Sequence, residues 1–131
     1  MIVEIEITSF CELHYFLGIE VCQKEDGIFM SQTKYIWDIL KKFKMLSCKP
    51  STTPMEVGLN LYGHDDSNSV DGTLYHQLVG NLIYLTIIRP DISFVVNMVS
   101  RFMEEPKELH WKATKRILRY LRAFSDNCLK Y

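Results

Sequence analysis

Residues 13–30 read LHYFLGIEVCQKEDGIFM, and this stretch decides the fold class. Its first half, Leu13–Val21, is rich in aromatic and β-branched side chains, which are typical of a β-strand. The segment Lys24–Gly27 predicts a tight turn, because Asp-Gly readily takes positive φ. Ile28–Met30 then returns as the partner strand, so the stretch is predicted to form a β-hairpin. The alternating segment Ile2–Ile7 predicts a further strand.

Four helices are predicted after the hairpin. The first is capped by Ser31, carries apolar residues at helical spacing and ends before Pro50. The others cover residues 73–87, 91–103 and 107–124, with Asp91 as the cap of the third and Pro106 at the start of the fourth. A long irregular connection covers residues 49–72. The predicted fold class is therefore α+β: an N-terminal antiparallel β-hairpin or small sheet over residues 1–31, and a mainly helical region over residues 32–131.

The chain has the composition of an ordinary globular protein. It has 131 residues, of which 47% are hydrophobic and 24% are charged. No apolar run approaches the ~18 residues of a membrane span, and residues 1–7 lack the basic start of a signal peptide. We therefore expect an intracellular protein, not secreted, cytoplasmic or nuclear, with no membrane partner. The four cysteines form no CxxC pair and the histidines no HxxxH pair, so we expect reduced thiols and no metal site.

Charge is distributed in blocks along the chain. The overall net charge is −1, but residues 31–50 carry a net charge of +4 and residues 111–131 a net charge of +5. Two basic blocks in an otherwise acidic chain predict surfaces that bind an anion. In the first block, Lys41 and Lys42 lie off the apolar face of the first predicted helix.

The last predicted helix carries the clearest functional pattern. At 100° per residue, five cations fall within an arc of about 120°, and the apolar residues occupy the opposite face. We call these five residues the basic stripe: Lys112, Lys115, Arg116, Arg119 and Arg122. Such a stripe suits a nucleic-acid backbone, where Lys and Arg displace condensed counterions. The alternatives are the solvated face of a core helix, and a surface for an acidic protein or a membrane. Because the stripe lies off the apolar arc, we expect that replacing Arg116 and Arg119 with alanine barely changes the fold.

A series of motifs runs through nearly the whole chain. They are Leu13–Val21, Gly27–Gln32 with Tyr35, Thr53–Met55, Tyr75–Thr86, Arg89–Ile92, Ser100–Met103, His110–Trp111 and Lys115–Leu121. In this order and spacing, the chain resembles the reverse transcriptase of copia-type retrotransposons, which is a segment of the Pol polyprotein.

The resemblance implies that the chain covers the end of the palm, the thumb and the connection. Phe16-Leu17-Gly18 is similar to the primer-grip element, which holds the 3′ end of the primer against the palm, and Gly18 would let a backbone approach closely. The thumb packs on the template–primer duplex, which would engage both basic blocks. The predicted nucleic-acid-binding residues are therefore Phe16, Leu17, Gly18, Lys41, Lys42 and the basic stripe. The expected partners are an RNA–DNA hybrid or duplex nucleic acid, bound weakly and without sequence preference, and the palm and ribonuclease H regions of a Pol polyprotein.

The resemblance also implies where catalysis would take place. In the family, palm aspartates upstream of the primer grip hold Mg²⁺, and here no Asp precedes Phe16. The only Asp-Asp pair, Asp65-Asp66, lies downstream in a polar loop. We therefore expect no polymerase activity, no catalytic residue, and no metal or cofactor in this chain alone. Two alternatives stay open: a retrotransposon relic without nucleic-acid function, and a small protein-interaction domain that uses the basic helix.

Overall fold

The computed structural model describes the backbone of residues 2–4, 12–16, 19–24, 27–56, 61, 69–125 and 127–130, and the side chains of residues 19–22, 27–56, 61 and 69–125. The strands are β1 (Ile2–Glu4), β2 (Glu12–Phe16), β3 (Ile19–Lys24), β4 (Gly27–Ser31) and β5 (Asn127–Lys130). The helices are α1 (Thr33–Lys42), α2 (Gly72–Leu85), α3 (Ser93–Ser100) and α4 (Glu108–Ala123), with a 3₁₀ turn at Pro90–Ile92. The predicted α+β class is confirmed.

The strands form one antiparallel sheet in the order β1-β5-β4-β3-β2. The predicted turn is confirmed, since Lys24 pairs with Gly27 and Gly27 has a φ of 150°. The single strand predicted over Leu13–Val21 is wrong, because β2 and β3 pair with each other and Phe16 lies opposite Ile19. A continuous run of strand-forming side chains carries no signal for the point at which the chain reverses.

The strand β5 lies outside every sequence prediction. It pairs with β1 on one side, where Ile2 lies opposite Leu129, and with β4 on the other, where Met30 lies opposite Leu129. Both ends of the chain therefore meet in one sheet. A four-residue strand has too little periodicity to be recognised locally, and it forms because partners on both sides satisfy its backbone groups. The division of the chain at residue 31 stays a prediction.

The cysteines differ from the sequence expectation at one position. Cys22 in β3 is fully buried and disulfide-bonded. The expectation of reduced thiols is therefore wrong for Cys22, while Cys48 is a half-buried free thiol. The spacing of cysteines along the chain cannot reveal such a pairing, because it depends on which strands become neighbours.

All four predicted helices are present, but the start of α1 differs from expectation. Ser31 is the last residue of β4 and no cap, because its hydroxyl donates to Glu20 Oε2 at 2.9 Å. The other oxygen of the Glu20 carboxylate accepts the backbone N–H of Lys34 at 3.3 Å. A buried carboxylate from β3 thus takes the place of a local cap and complements the positive end of the helix dipole.

The core lies among the four helices. The apolar residues of α2 are its centre, with fully buried Leu78, Val79, Leu82 and Leu85. The Tyr75 hydroxyl joins α2 to α3 by donating to the Val99 carbonyl at 2.6 Å, and burial raises the pKa of this tyrosine above its ordinary value. Among the described residues, no helix combines the length and the apolar character that crossing a bilayer requires.

The end of α1 directs the following segment toward α4. The Met45 N–H donates to the Leu40 carbonyl at 2.7 Å, and the Lys44 N–H donates to the Lys41 carbonyl at 3.2 Å. Lys44 takes a left-handed φ of 57°. These are the bonds of a Schellman motif, in which a left-handed residue reverses the chain after a helix. The motif sets residues 45–56 on a path along α4.

Candidate nucleic-acid interface

The basic stripe lies on α4, and its arginines contact the segment that follows α1. Nη1 of Arg122 donates to the Cys48 carbonyl at 2.8 Å, and Nε of Arg119 donates to the Lys49 carbonyl at 2.7 Å. Nη2 of Arg116 donates to the Thr53 hydroxyl at 2.9 Å. The three arginines are half-buried, whereas Lys112 is exposed. The stripe is therefore divided between arginines that hold residues 48–53 in place and lysines that make no such bond to any residue that the structure describes.

These contacts argue against the expectation that replacing Arg116 and Arg119 barely changes the fold. Hydrogen bonds from a charged donor are stronger than neutral ones. The Ser51 N–H also donates to the Arg119 carbonyl at 3.2 Å, so the backbone and the side chain of this arginine bind the same segment. Wheel geometry correctly places the arginines off the core but cannot show that a neighbouring segment covers them.

We expect Arg119→Ala to lower the free energy of unfolding by about 1.5 kcal/mol, because the Lys49 carbonyl loses a charged donor. Urea denaturation followed by circular dichroism measures this change. The matched control is Lys112→Ala on the exposed part of the same helix, which should stay within about 0.5 kcal/mol of the parent. Equal effects of the two substitutions would show that the Arg119 contact contributes nothing.

The two basic blocks meet at a pair of aromatic rings in contact with each other. Lys41 and Lys42 are exposed in the last turn of α1, and Nζ of Lys42 lies 5.6 Å from the ring centroid of Phe43. The Phe43 ring meets the Trp111 ring edge-on, with centroids 6.5 Å apart. Nζ of Lys115 lies 5.6 Å from the Trp111 ring centroid. Two blocks that are far apart in the sequence thus form one cationic surface, in which lysines flank a pair of rings.

A groove of about 500 Å³ runs between α4 and the segment 45–56. It has an apolar part and a cationic part, and Glu56 is the one acidic residue among its described lining residues. The apolar part is Met45, Leu109 and Ala113, and the cationic part is Lys112, Lys115, Arg116 and Arg119. The excess of positive charge over Glu56 makes the groove attractive to an anion.

The primer-grip-like motif begins in the sheet and not in the helices that carry the basic blocks. Phe16 is the last residue of β2, one of the two edge strands of the described sheet, while Leu17 and Gly18 fall outside the described residues. The structure therefore connects Lys42 to the basic stripe through the Phe43 and Trp111 rings, and Lys41 precedes Lys42 in the last turn of α1. The role predicted for Phe16, Leu17 and Gly18 stays a prediction.

Comparison with known proteins identifies the family. The family described as "Reverse transcriptase (RNA-dependent DNA polymerase)" matches residues 1–57. The retrovirus-related Pol polyprotein from transposon RE1 of Arabidopsis thaliana is 48% identical over 110 residues, which are 84% of this chain and 8% of that polyprotein. The polyprotein from transposon RE2 of the same plant is 43% identical over 116 residues, which are 88% of this chain and 8% of that polyprotein. The chain belongs to the copia-type retrotransposon reverse transcriptase family.

The chain corresponds to a small part of these polyproteins, since it spans 8% of their length. It is also similar to an uncharacterized mitochondrial protein of Arabidopsis thaliana, with 43% identity over 110 residues, which are 84% of this chain and 45% of that protein. No solved structure matches the chain significantly. The chain is thus a reverse transcriptase-like fragment of a retrotransposon Pol polyprotein.

The reverse transcriptase motif Arg89–Ile92 is the centre of a buried ionic cluster, and Asp91 is not the cap that its sequence position predicted. Nε and Nη2 of Arg89 donate to the two carboxylate oxygens of Asp91 at 3.2 and 3.0 Å. Nη1 of Arg89 donates to the Phe124 carbonyl at 2.9 Å, and the Tyr120 hydroxyl donates to Asp91 Oδ2 at 2.6 Å. We call Arg89, Asp91 and Tyr120 the clamp, which ties the turn before α3 to the end of α4.

The clamp shifts the pKa values of its members. Burial alone would raise the pKa of Asp91, but hydrogen bonds from Arg89 and Tyr120 and the charge of Arg89 outweigh it and hold this pKa below its ordinary value. Burial and the hydrogen bond to Asp91 raise the pKa of Tyr120 to about 12. The signal for the clamp is present in the sequence, since Arg89 and Asp91 are the only charged residues between positions 72 and 100.

The family residue His110 also has a structural role. Its ring is 6% exposed and stacks on Phe102, with centroids 3.9 Å apart. Nδ1 accepts the backbone N–H of Lys107 at 3.0 Å, so Nε2 carries the proton and donates to the Leu61 carbonyl at 3.0 Å. Both ring nitrogens are thus engaged in holding the start of α4. Within the described part of the chain, no group of three or more His, Cys, Asp or Glu residues has the arrangement of a metal site.

Proposed function

We propose that this fragment holds the nucleic acid of a reverse transcriptase, and that it binds an RNA–DNA hybrid or another duplex through the sugar–phosphate backbone. The observation that carries the proposal is the meeting of the two basic blocks at the Phe43–Trp111 pair. Its residues would act as thumb and connection, while palm and ribonuclease H regions of a Pol polyprotein are its partners.

Phosphate contacts account for the expected character of the binding. Lys41, Lys42 and Lys112 are exposed and can reach phosphates, and the half-buried Lys115 has its Nζ over the Trp111 ring. Such contacts position a duplex without reading its bases, so the affinity is independent of sequence and falls steeply with salt. In this proposal the palm partner supplies the aspartates that hold Mg²⁺. This chain alone therefore does not extend a primer.

The proposal predicts the salt dependence of a double variant. Lys112→Ala with Lys115→Ala should weaken binding to hybrid and to DNA duplex alike, by roughly tenfold near 0.1 M salt, because two phosphate contacts are lost. The log–log slope of affinity against salt should flatten by about two units. Fluorescence anisotropy at several salt concentrations measures both quantities, and circular dichroism checks that the fold is intact.

The matched control removes two cations that lie outside both basic blocks. Arg101→Ala with Lys107→Ala changes the net charge equally, after α3 and before α4. If the two double variants lose the same affinity, binding reflects net charge and the surface is not an interface.

The same assay separates the two alternative functions. Absence of duplex binding by the parent would favour the relic. If an acidic protein displaces the bound duplex more effectively than an RNA–DNA hybrid does, the result would favour the protein-interaction alternative. Template-dependent primer extension by the pure chain would contradict the proposal that it lacks catalysis.

A further inference from the structure

We propose that the groove between α4 and residues 45–56 binds one unpaired nucleotide, with the base on its apolar part and the phosphate on its cations. This inference deepens the proposed function and rests on it. It concerns a strand end or overhang, whereas the surface described above concerns the duplex. The two can therefore succeed or fail separately.

The lining of the groove combines the two chemistries that a nucleotide requires. Ala113 lines the groove and is 7% exposed, and the half-buried side chains of Met45 and Leu109 add apolar surface. Lys112 is exposed on the same groove, beside Lys115. A volume of about 500 Å³ lies within the usual range for small-molecule sites, so one base fits with room to spare.

Arg116 supplies a donor that is already in place. Its Nη2 is held by the Thr53 hydroxyl at 2.9 Å, which orients the guanidinium. Its Nε is buried and has no hydrogen-bond acceptor among the described residues. A buried donor without an acceptor is costly, and a phosphate oxygen in the groove would satisfy it.

Other anions match the groove less well. A duplex presents its phosphates on the outside and keeps its bases stacked inside, so it would leave the apolar part of the groove unused. An acidic peptide carries its charge on short side chains without a flat apolar body. An unpaired nucleotide joins a planar ring to a phosphate, and stacking or burial of such rings is the usual basis of sequence-independent single-strand binding.

The test compares three fluorescent RNA–DNA hybrids on the full chain. One is blunt, one has an overhang of four thymidines, and one has an overhang of four abasic residues with the same phosphates. We expect the thymidine overhang to bind about tenfold more tightly than the abasic overhang. Ala113→Phe fills the groove and should abolish this preference while leaving affinity for the blunt hybrid unchanged.

Two further variants keep the test decisive. Leu109→Trp fills the groove from a half-buried position and should also abolish the preference, even if Ala113→Phe does not fold. Ala123→Phe makes the same substitution at an exposed position at the end of α4 and should keep the preference. Equal affinity of the parent for the thymidine and abasic overhangs, or a preference that survives both groove-filling variants, overturns the inference and leaves the proposed function intact. Failure of the parent to bind any of the hybrids overturns the proposed function and the inference with it.

Discussion

Replacing Asp91 with alanine should lower the free energy of unfolding by about 3–5 kcal/mol, since it leaves a buried arginine without its carboxylate. Arg89 is 1% exposed, and two of its three hydrogen-bonding nitrogens donate to Asp91. Urea denaturation at neutral pH measures the loss. The control is Tyr120→Phe, which removes one hydrogen bond to the same carboxylate and should cost about 1 kcal/mol.

The direction of the pKa shift adds a pH dependence to this prediction. The pKa of Asp91 is lower in the folded protein than its ordinary value of 3.8, so its contribution to stability is complete above about pH 4 and is lost as the pH falls through the folded value. Parent and Asp91→Ala should therefore converge in stability at strongly acidic pH. A difference between them that is the same at pH 7 and at low pH would show that the Asp91 charge is not what stabilises the clamp.

The second large effect is expected for Leu118→Asp, which should unfold the helical region by placing a carboxylate in the core. Leu118 is 1% exposed on the inner face of α4 and belongs to the cluster formed by all four helices. The described members of that cluster are apolar side chains, and none of them carries a positive charge that could compensate the carboxylate. The loss should therefore exceed about 4 kcal/mol. Far-UV circular dichroism and urea denaturation measure it.

The matched control for this prediction is Lys112→Asp, which introduces the same side chain at an exposed position of the same helix. It should keep the helical signal and change the free energy of unfolding by less than about 1 kcal/mol. If Leu118→Asp and Lys112→Asp have the same free energy of unfolding, the inner face of α4 is not part of the core.

Local patterns predicted much of the helical region. Apolar residues at helical spacing placed α1 correctly, and Ile36, Ile39 and Leu40 are buried as that spacing requires. The same argument placed Ile117, Leu118 and Leu121 of α4 in the core. These predictions succeed because a helix repeats every 3.6 residues, so residues three and four positions apart form its buried face.

The candidate interface was predicted in part. The sequence located both basic blocks and the α4 stripe, but the joining of Lys42 and Lys115 depends on contact between Phe43 and Trp111. The sequence also gave no sign that Arg119 holds a carbonyl 70 positions away along the chain. A helical wheel describes one element and carries no information on the segment that crosses it.

The sequence by itself determined the Lys24–Gly27 turn, the existence of four helices and their buried faces, because each depends on residues within a few positions of one another. It also determined the family, through the order and spacing of motifs along the chain. The tertiary structure alone decided the place of β5 between β1 and β4, the Glu20 cap of α1 and the clamp. In each of these a backbone or carboxylate group is satisfied by a partner that is distant in sequence. Such pairs exist only after the helices and the sheet have packed, since burial is what makes an unpaired polar group costly and selects the partner that satisfies it.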